Sequence, residues 1–217
     1  MIVDERTYTV QHGKNVPYIE ALRDIALPAM KQVGYDLGGI FTSESGMLNQ
    51  VVHYWKWESL GQRQEVSRAL YSHKDFAEYR KATAGMLLTQ ENRLLEATDL
   101  CVPFTHPGGG GDLAIVDART YTLTYGSVAG YVQAFKAFGL PVTDKHGWPL
   151  VGYFYTASAR LHQVVHLWYW KSHAVREQTL AATAADPAFG AYRAQVASKL
   201  IAQENRILVP LPFSPLK

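Results

Sequence analysis

The chain has 217 residues, 47% of them hydrophobic and 18% charged, with a formal net charge of +2. That is enough for one sizeable core or two small ones, and the weak, scattered charge gives no sign of a nucleic-acid partner. The one cysteine, Cys101, permits no internal disulfide and fits a reducing compartment. No apolar run nears the roughly 18 residues of a membrane span, and no basic-apolar leader is visible, so a soluble cytoplasmic protein is expected.

In chain order, Val3 to Val10 alternates as a strand and ends at the turn signal Gly13. Val16 to Ala26 carries apolar residues at helical spacing, and Pro28 is expected to stop or kink that helix. Gly38 to Ser43 reads as a second strand and Gln50 to Trp57 as a third. The third is an unbroken Val, Tyr and Trp run suited to packing on both faces. Ser59 is a good N-cap for a helix through Arg63 and Leu70, and Phe76 to Leu88 reads as a further helical stretch. Gln90 to Leu95 closes the unit as a strand.

The same order then repeats. Ile2-Val-Asp-Glu-Arg-Thr-Tyr-Thr9 returns as Ile115-Val-Asp-Ala-Arg-Thr-Tyr-Thr122, and Gln50-Val-Val-His53 returns as Gln163-Val-Val-His166. Gln90-Glu-Asn-Arg93 returns as Gln203-Glu-Asn-Arg206, and the offset is 113 throughout. Roughly 37 of about 95 paired positions are identical, which marks a gene duplication. We assign residues 1–100 and 114–217 to the two repeats and 101–113 to a Pro/Gly-rich linker. Its four glycines, Gly108 to Gly111, form a tether at the surface and lack the context of a phosphate cradle.

Each βαββαβ repeat is the split arrangement of ferredoxin-like folds, with its first and third strands adjacent. One face of such a sheet lacks helices, so the class is α+β, with two tandem ferredoxin-like repeats packed as an intramolecular pseudo-dimeric α+β barrel. Leftover sheet edges and helical faces make a homo-oligomer a further expectation. The tail from Pro210 to Leu216 is expected to lie extended over the surface.

These segments resemble the NIPSNAP family: Arg-Thr-Tyr-Thr near the start, Leu-Asn-Gln-Val-Val-His-Tyr-Trp in the third strand, Ser-Leu-Gly-Gln-Arg opening the second helix, Gln-Glu-Asn-Arg at the end, and the final Pro-Phe-Ser-Pro-Leu. The resemblance covers nearly the whole chain and implies the dimeric α+β barrel fold. It implies no single reaction: animal members carry suggested mitochondrial and haem-related roles. Proteins sharing only the fold include cofactor-independent monooxygenases, isomerases, lyases, dehalogenating enzymes and haem-binding enzymes. The copies differ at Asn49/His162 and Met47/Arg160, so they need not be equivalent.

Strand periodicity places His53, Trp55 and Trp57 on one face, and His166, Trp168 and Trp170 on the matching face. His53 and His166 are candidate general bases; the bland alternative is a core histidine beside packed indoles. Tyr8 and Tyr121 are candidate oxyanion donors, and Arg6 and Arg119 candidate anion clamps. Arg6 paired with Glu91, and Arg119 with Glu204, is the structural alternative for the arginines. Trp55, Trp57, Trp168 and Trp170 are candidate substrate walls and, first of all, core. Asp4 and Asp117 read as turn or cap residues, and Arg63 and Arg176 as makers of surface pairs.

No metal site is expected, since His162 and His166 lie roughly 13 Å apart on one strand and no carboxylate or thiol cluster completes a set. The leading expectation is an enzyme that uses no cofactor and moves a proton on a small-molecule substrate in the barrel interior. A haem or hydrophobic-ligand carrier and a non-catalytic interaction protein are the alternatives. Periodicity alone leaves open whether the His/Trp face looks into the barrel or toward the helices.

Overall fold

Strand β3 (Gln50–Trp57) is buried along almost its whole length and its twin β7 (Gln163–Trp170) along all of it, because each is covered on both sides. In the first repeat β3 lies between β1 (Ile2–Val10) and β2 (Asp36–Ser43), and β4 (Leu87–Ala97) lies on the other side of β1, all antiparallel. The second repeat copies this with β5 (Ile115–Leu123), β6 (Leu150–Thr156), β7 and β8 (Leu200–Pro210). The computed structural model describes residues 1–105 and 114–217; the tether Gly108 to Gly111 lies outside the described residues.

The two sheets join edge to edge. Leu95 to Ala97 of β4 pair with Phe154 to Thr156 of β6, and Phe41 to Ser43 of β2 pair with Leu208 to Pro210 of β8. The result is a closed eight-strand barrel in the order β1-β3-β2-β8-β5-β7-β6-β4. Closure corrects the expectation of leftover edges, since each edge strand has found its partner in the other repeat.

One face of every strand therefore points into the barrel and the other toward helices. Val3, Val52, Tyr54 and Leu95 meet Val116, Val165, Leu167 and Tyr169 in a single interior cluster to which both repeats contribute. Two further clusters lie between sheet and helices, one per repeat. His53, Trp55 and Trp57 are on the helix side, and so are His166, Trp168 and Trp170. The expected barrel-interior site is therefore corrected: these rings lie outside the barrel wall, beneath the helices.

Pro28 does not end the first helix. Segments α1 (Asn15–Ala21) and α2 (Leu27–Gln32) are joined by a π turn, Leu22–Ala26, and α5 (Val128–Ala134) and α6 (Leu140–Lys145) by the matching turn Phe135–Gly139. A proline ring crowds the carbonyl four residues back, here Asp24, and the wider π turn absorbs that conflict. Helix α3 (Leu60–Tyr71) begins at Ser59, whose hydroxyl accepts from the Gln62 amide at 3.1 Å, as its sequence predicts. Helix α4 (Lys74–Ala82) stops early: Gly85 turns the chain at φ 74°, and Leu87 and Leu88 belong to β4 rather than to a helix. The second repeat carries α7 (His173–Ala184) and α8 (Pro187–Val196) at the same places.

The tail is not a surface strap. Leu216 is fully buried in the interior cluster, and Ser214 Oγ accepts from the Ile40 amide at 3.1 Å. Phe104 from the linker enters the same end, 5.9 Å from the Phe154 ring. One end of the barrel is thus stoppered by the chain itself.

Candidate functional site

On the helix side of β5, Asp117, Arg119 and Tyr121 follow one another at strand spacing, beside His166 and Trp168 of β7. The His166 ring sits in a shell of aromatic rings: Tyr153 at 4.4 Å, Tyr121 at 4.8 Å, Phe135 at 5.2 Å, Trp168 at 6.0 Å and Tyr131 at 6.2 Å. Burial, reinforced by the charge of Arg119, holds His166 well below the usual imidazole range, so it is neutral near pH 7. Its Nε2 has no hydrogen-bond partner, nor has Trp168 Nε1.

The arginines have other partners than those expected. Arg119 donates from Nε and Nη2 to Asp117 Oδ2 at 3.0 and 2.8 Å and lies 5.0 Å above the Trp148 ring. Arg6 makes the matching pair with Asp4. The pairs Arg6–Glu91 and Arg119–Glu204 do not form, because Glu91 stands opposite Thr7, one residue out of phase with Arg6. Asp4 and Asp117 are no turn residues either. Both are fully buried, and each also holds an arginine from the following helix, Arg63 at 2.8 Å and Arg176 at 2.8 Å. Those helix arginines are tethers to the strand, not surface pairs.

A cavity of about 790 Å³ opens against this constellation in the second repeat. Arg119, Tyr121, His166 and Trp168 stand in its wall, facing Tyr131, Phe135 and Tyr192 from the helices, and Ala184, Gly190 and Arg193 line it where α7 and α8 meet solvent. The first repeat keeps the chemistry and lacks the space. His53 is sealed, with neither ring nitrogen partnered, and burial followed by the Arg6 charge pushes it down to about 3. Its nearest groove, about 210 Å³, reaches Arg6 but not Tyr8 or His53. Tyr71, Met30 and Ala77 occupy the positions of Ala184, Thr143 and Gly190. Trp57 and Trp170 lie away from both spaces, packed on Tyr35 at 4.8 Å and Trp148 at 5.3 Å.

Among the candidates, then, His166, Tyr121, Arg119 and Trp168 are brought to one cavity, while His53, Tyr8, Trp55, Trp57 and Trp170 are core. Sequence reading missed the helical half of the wall. Its signal was present, since Tyr18/Tyr131 and Tyr79/Tyr192 are identical between copies. No group of His, Cys, Asp and Glu side chains suited to a metal ion occurs among the described residues, and no helix there is long and apolar enough to cross a membrane.

The NIPSNAP family model matches residues 3–102 and again 116–215. The chain belongs to the NIPSNAP family. Human NipSnap homolog 3A is 26% identical over 98% of this chain and 84% of its own length. Mouse NipSnap homolog 3B is 27% identical, again over 98% of this chain and 84% of its own. Among solved structures, a proposed monooxygenase from Fusobacterium nucleatum superposes with a TM-score of 0.68 at 8% identity, covering 97% of this chain and 92% of that one. An anthrone oxidase-like protein gives 0.63 at 12%, covering 97% and 91%. At such identities the likeness is one of fold, and it places the two NIPSNAP repeats in the α+β barrel architecture.

Proposed function

We propose that this NIPSNAP protein is a small-molecule enzyme that works without an organic cofactor in the helix-side cavity of its second repeat. The observation that carries the reading is His166, buried with its Nε2 unpartnered and standing in the wall of an aromatic cavity that its sealed twin lacks. A buried polar atom left unpaired costs about 1–3 kcal/mol, which a ligand's donor group recovers. The aromatic lining selects a compact, largely apolar substrate with one acidic C–H or O–H group.

The chemistry follows from the charges. Burial and the Arg119 charge make His166 a weak base. A substrate proton moving to the His166 ring leaves an anion that offsets the Arg119 charge and pairs with the new imidazolium, so the base strengthens as the transfer proceeds. The Tyr121 hydroxyl and the Arg119 guanidinium then share the developing negative charge.

A panel of phenols and carbon acids, followed by proton release and oxygen uptake, tests this. His166→Gln removes turnover with the fold intact by circular dichroism, whereas His53→Gln leaves turnover unchanged. Ala184→Tyr, which installs the residue of the first repeat, weakens substrate affinity at least tenfold. Turnover that survives His166→Gln would sink the proposal. Binding without turnover is the second reading, favoured by the aromatic lining alone; a ligand-induced Tm rise lost in Ala184→Tyr, with no product formed, selects it.

A further inference from the structure

On the opposite side of the same strands, the unstoppered end of the barrel interior is polar. Glu5 is buried there, and Arg93 Nη2 and Arg206 Nη2 donate to its two oxygens at 3.0 and 3.2 Å. Arg206 also donates to Gln50 Oε1 at 3.2 Å, and Arg93 to Thr120 Oγ1 at 3.1 Å and Gln163 Oε1 at 3.5 Å. The pseudo-twofold relates Gln50 to Gln163, Thr7 to Thr120 and Arg93 to Arg206 without change of residue type. Glu5 alone among these has no twin. Its counterpart is Ala118, and the Tyr54 beside it is matched by Leu167.

Two consequences follow. The first is space: Ala118 stands opposite Arg206 as Glu5 stands opposite Arg93, and a cavity of about 670 Å³ has Ala118, Thr120 and Arg206 in its wall. The second is charge. Two mostly buried guanidiniums share one carboxylate, and Arg93 Nε has no partner. Burial alone would raise Glu5, but Arg93 and Arg206 outweigh it and hold the carboxyl ionised. Glu91, Glu204 and Arg160 also line the cavity, but they are exposed at its rim. Among the described residues neither rim glutamate forms an ion pair with Arg93 or Arg206; Glu204 acts on Arg93 through its charge at longer range, which water at the rim weakens.

We propose that this end of the barrel is a carboxylate-binding site, in which the carboxylate of a small ligand takes the place of the glutamate missing at 118. It would accept from Arg206 and from the Thr120 hydroxyl, whose proton is available because its oxygen accepts from Arg93. The site is separated by the barrel wall from the His166 cavity and is independent of the enzymatic reading.

Thermal melts of the full chain, with acetate replacing chloride at constant ionic strength and pH 7.5, test it. The wild type should show a saturable rise, about 3–6 °C at ten times the Kd. Ala118→Glu supplies the carboxylate covalently and should abolish the response. Arg206→Gln removes the donor and should abolish it too, and it decides alone if Ala118→Glu does not fold. Glu5→Gln leaves both guanidiniums without a counter-charge and should shift the response to lower acetate. His166→Gln should leave it unchanged. No saturable rise over chloride in the wild type, or a response that survives Arg206→Gln, overturns the proposal.

Discussion

At the scale of single residues, the two histidines show how position decides chemistry. Each sits between a valine and a tryptophan on the same face of its strand, Val51 and Trp55 or Val164 and Trp168, yet one lines a cavity and the other is walled in. The sealed copy yields a pH signature. An unfolded chain protonates histidine near 6.5, while folded His53 resists until about 3. Between those values the unfolded state holds the extra proton, so stability is full above 6.5 and falls as the pH drops. Urea denaturation should reveal a loss of about 2–3 kcal/mol from this residue between pH 6.5 and 4.5, and His53→Leu should make that limb shallower, with His166 carrying the remainder. An unchanged slope in the variant would show that other groups carry it. Strand parity grouped His53 with its tryptophans correctly but could not name the side they face. Both faces of β3 carry large apolar side chains and both are covered, so neither marks the direction.

At the scale of elements, the buried aspartates are the joints between sheet and helices. Asp117 Oδ2 receives Arg119 from its own strand and Arg176 from α7, and Asp4 does the same for α3. Removing the shared negative charge leaves two guanidiniums without their counter-ion at once. Asp117→Asn should therefore cost about 3 kcal/mol or more by urea denaturation, with strong coupling to Arg119→Ala in a double-mutant cycle. Glu204→Ala should stay within about 0.5 kcal/mol; a larger loss there would reinstate the ion pair read from the sequence as the structural alternative. That reasoning matched arginine to glutamate because both recur in both copies. It overlooked Asp4 and Asp117, which recur equally and share the arginine's parity. The order of strands and helices was legible because Ser59, the Val/Trp run and the glycine turns are local signals. Whether the helix stops at Pro28 or passes through it was not, since a π turn leaves no trace in apolar spacing.

At the scale of the whole molecule, closure makes each half depend on the other. Residues 1–105 alone would present β2 without β8 and β4 without β6, with Val3, Tyr54 and Leu95 uncovered. Light scattering on that fragment should find a homodimer or an aggregate, and a folded, strictly monomeric half would contradict the shared core. The duplication itself made the barrel legible from the 113-residue offset. The one unmatched position in its opening run, Glu5 against Ala118, was equally in view, but its meaning needed the geometry that brings Arg93 and Arg206 together across the seam. That pair of positions has a wider consequence. A barrel assembled from two identical chains can change only in duplicate: dropping the glutamate would strip both of its counter-ions and leave two bare guanidiniums face to face. Fusing the halves uncouples the two events, so one acid can be surrendered while the other still restrains both cations, and a chain-built symmetric vessel becomes able to evolve a handed, single-occupancy interior.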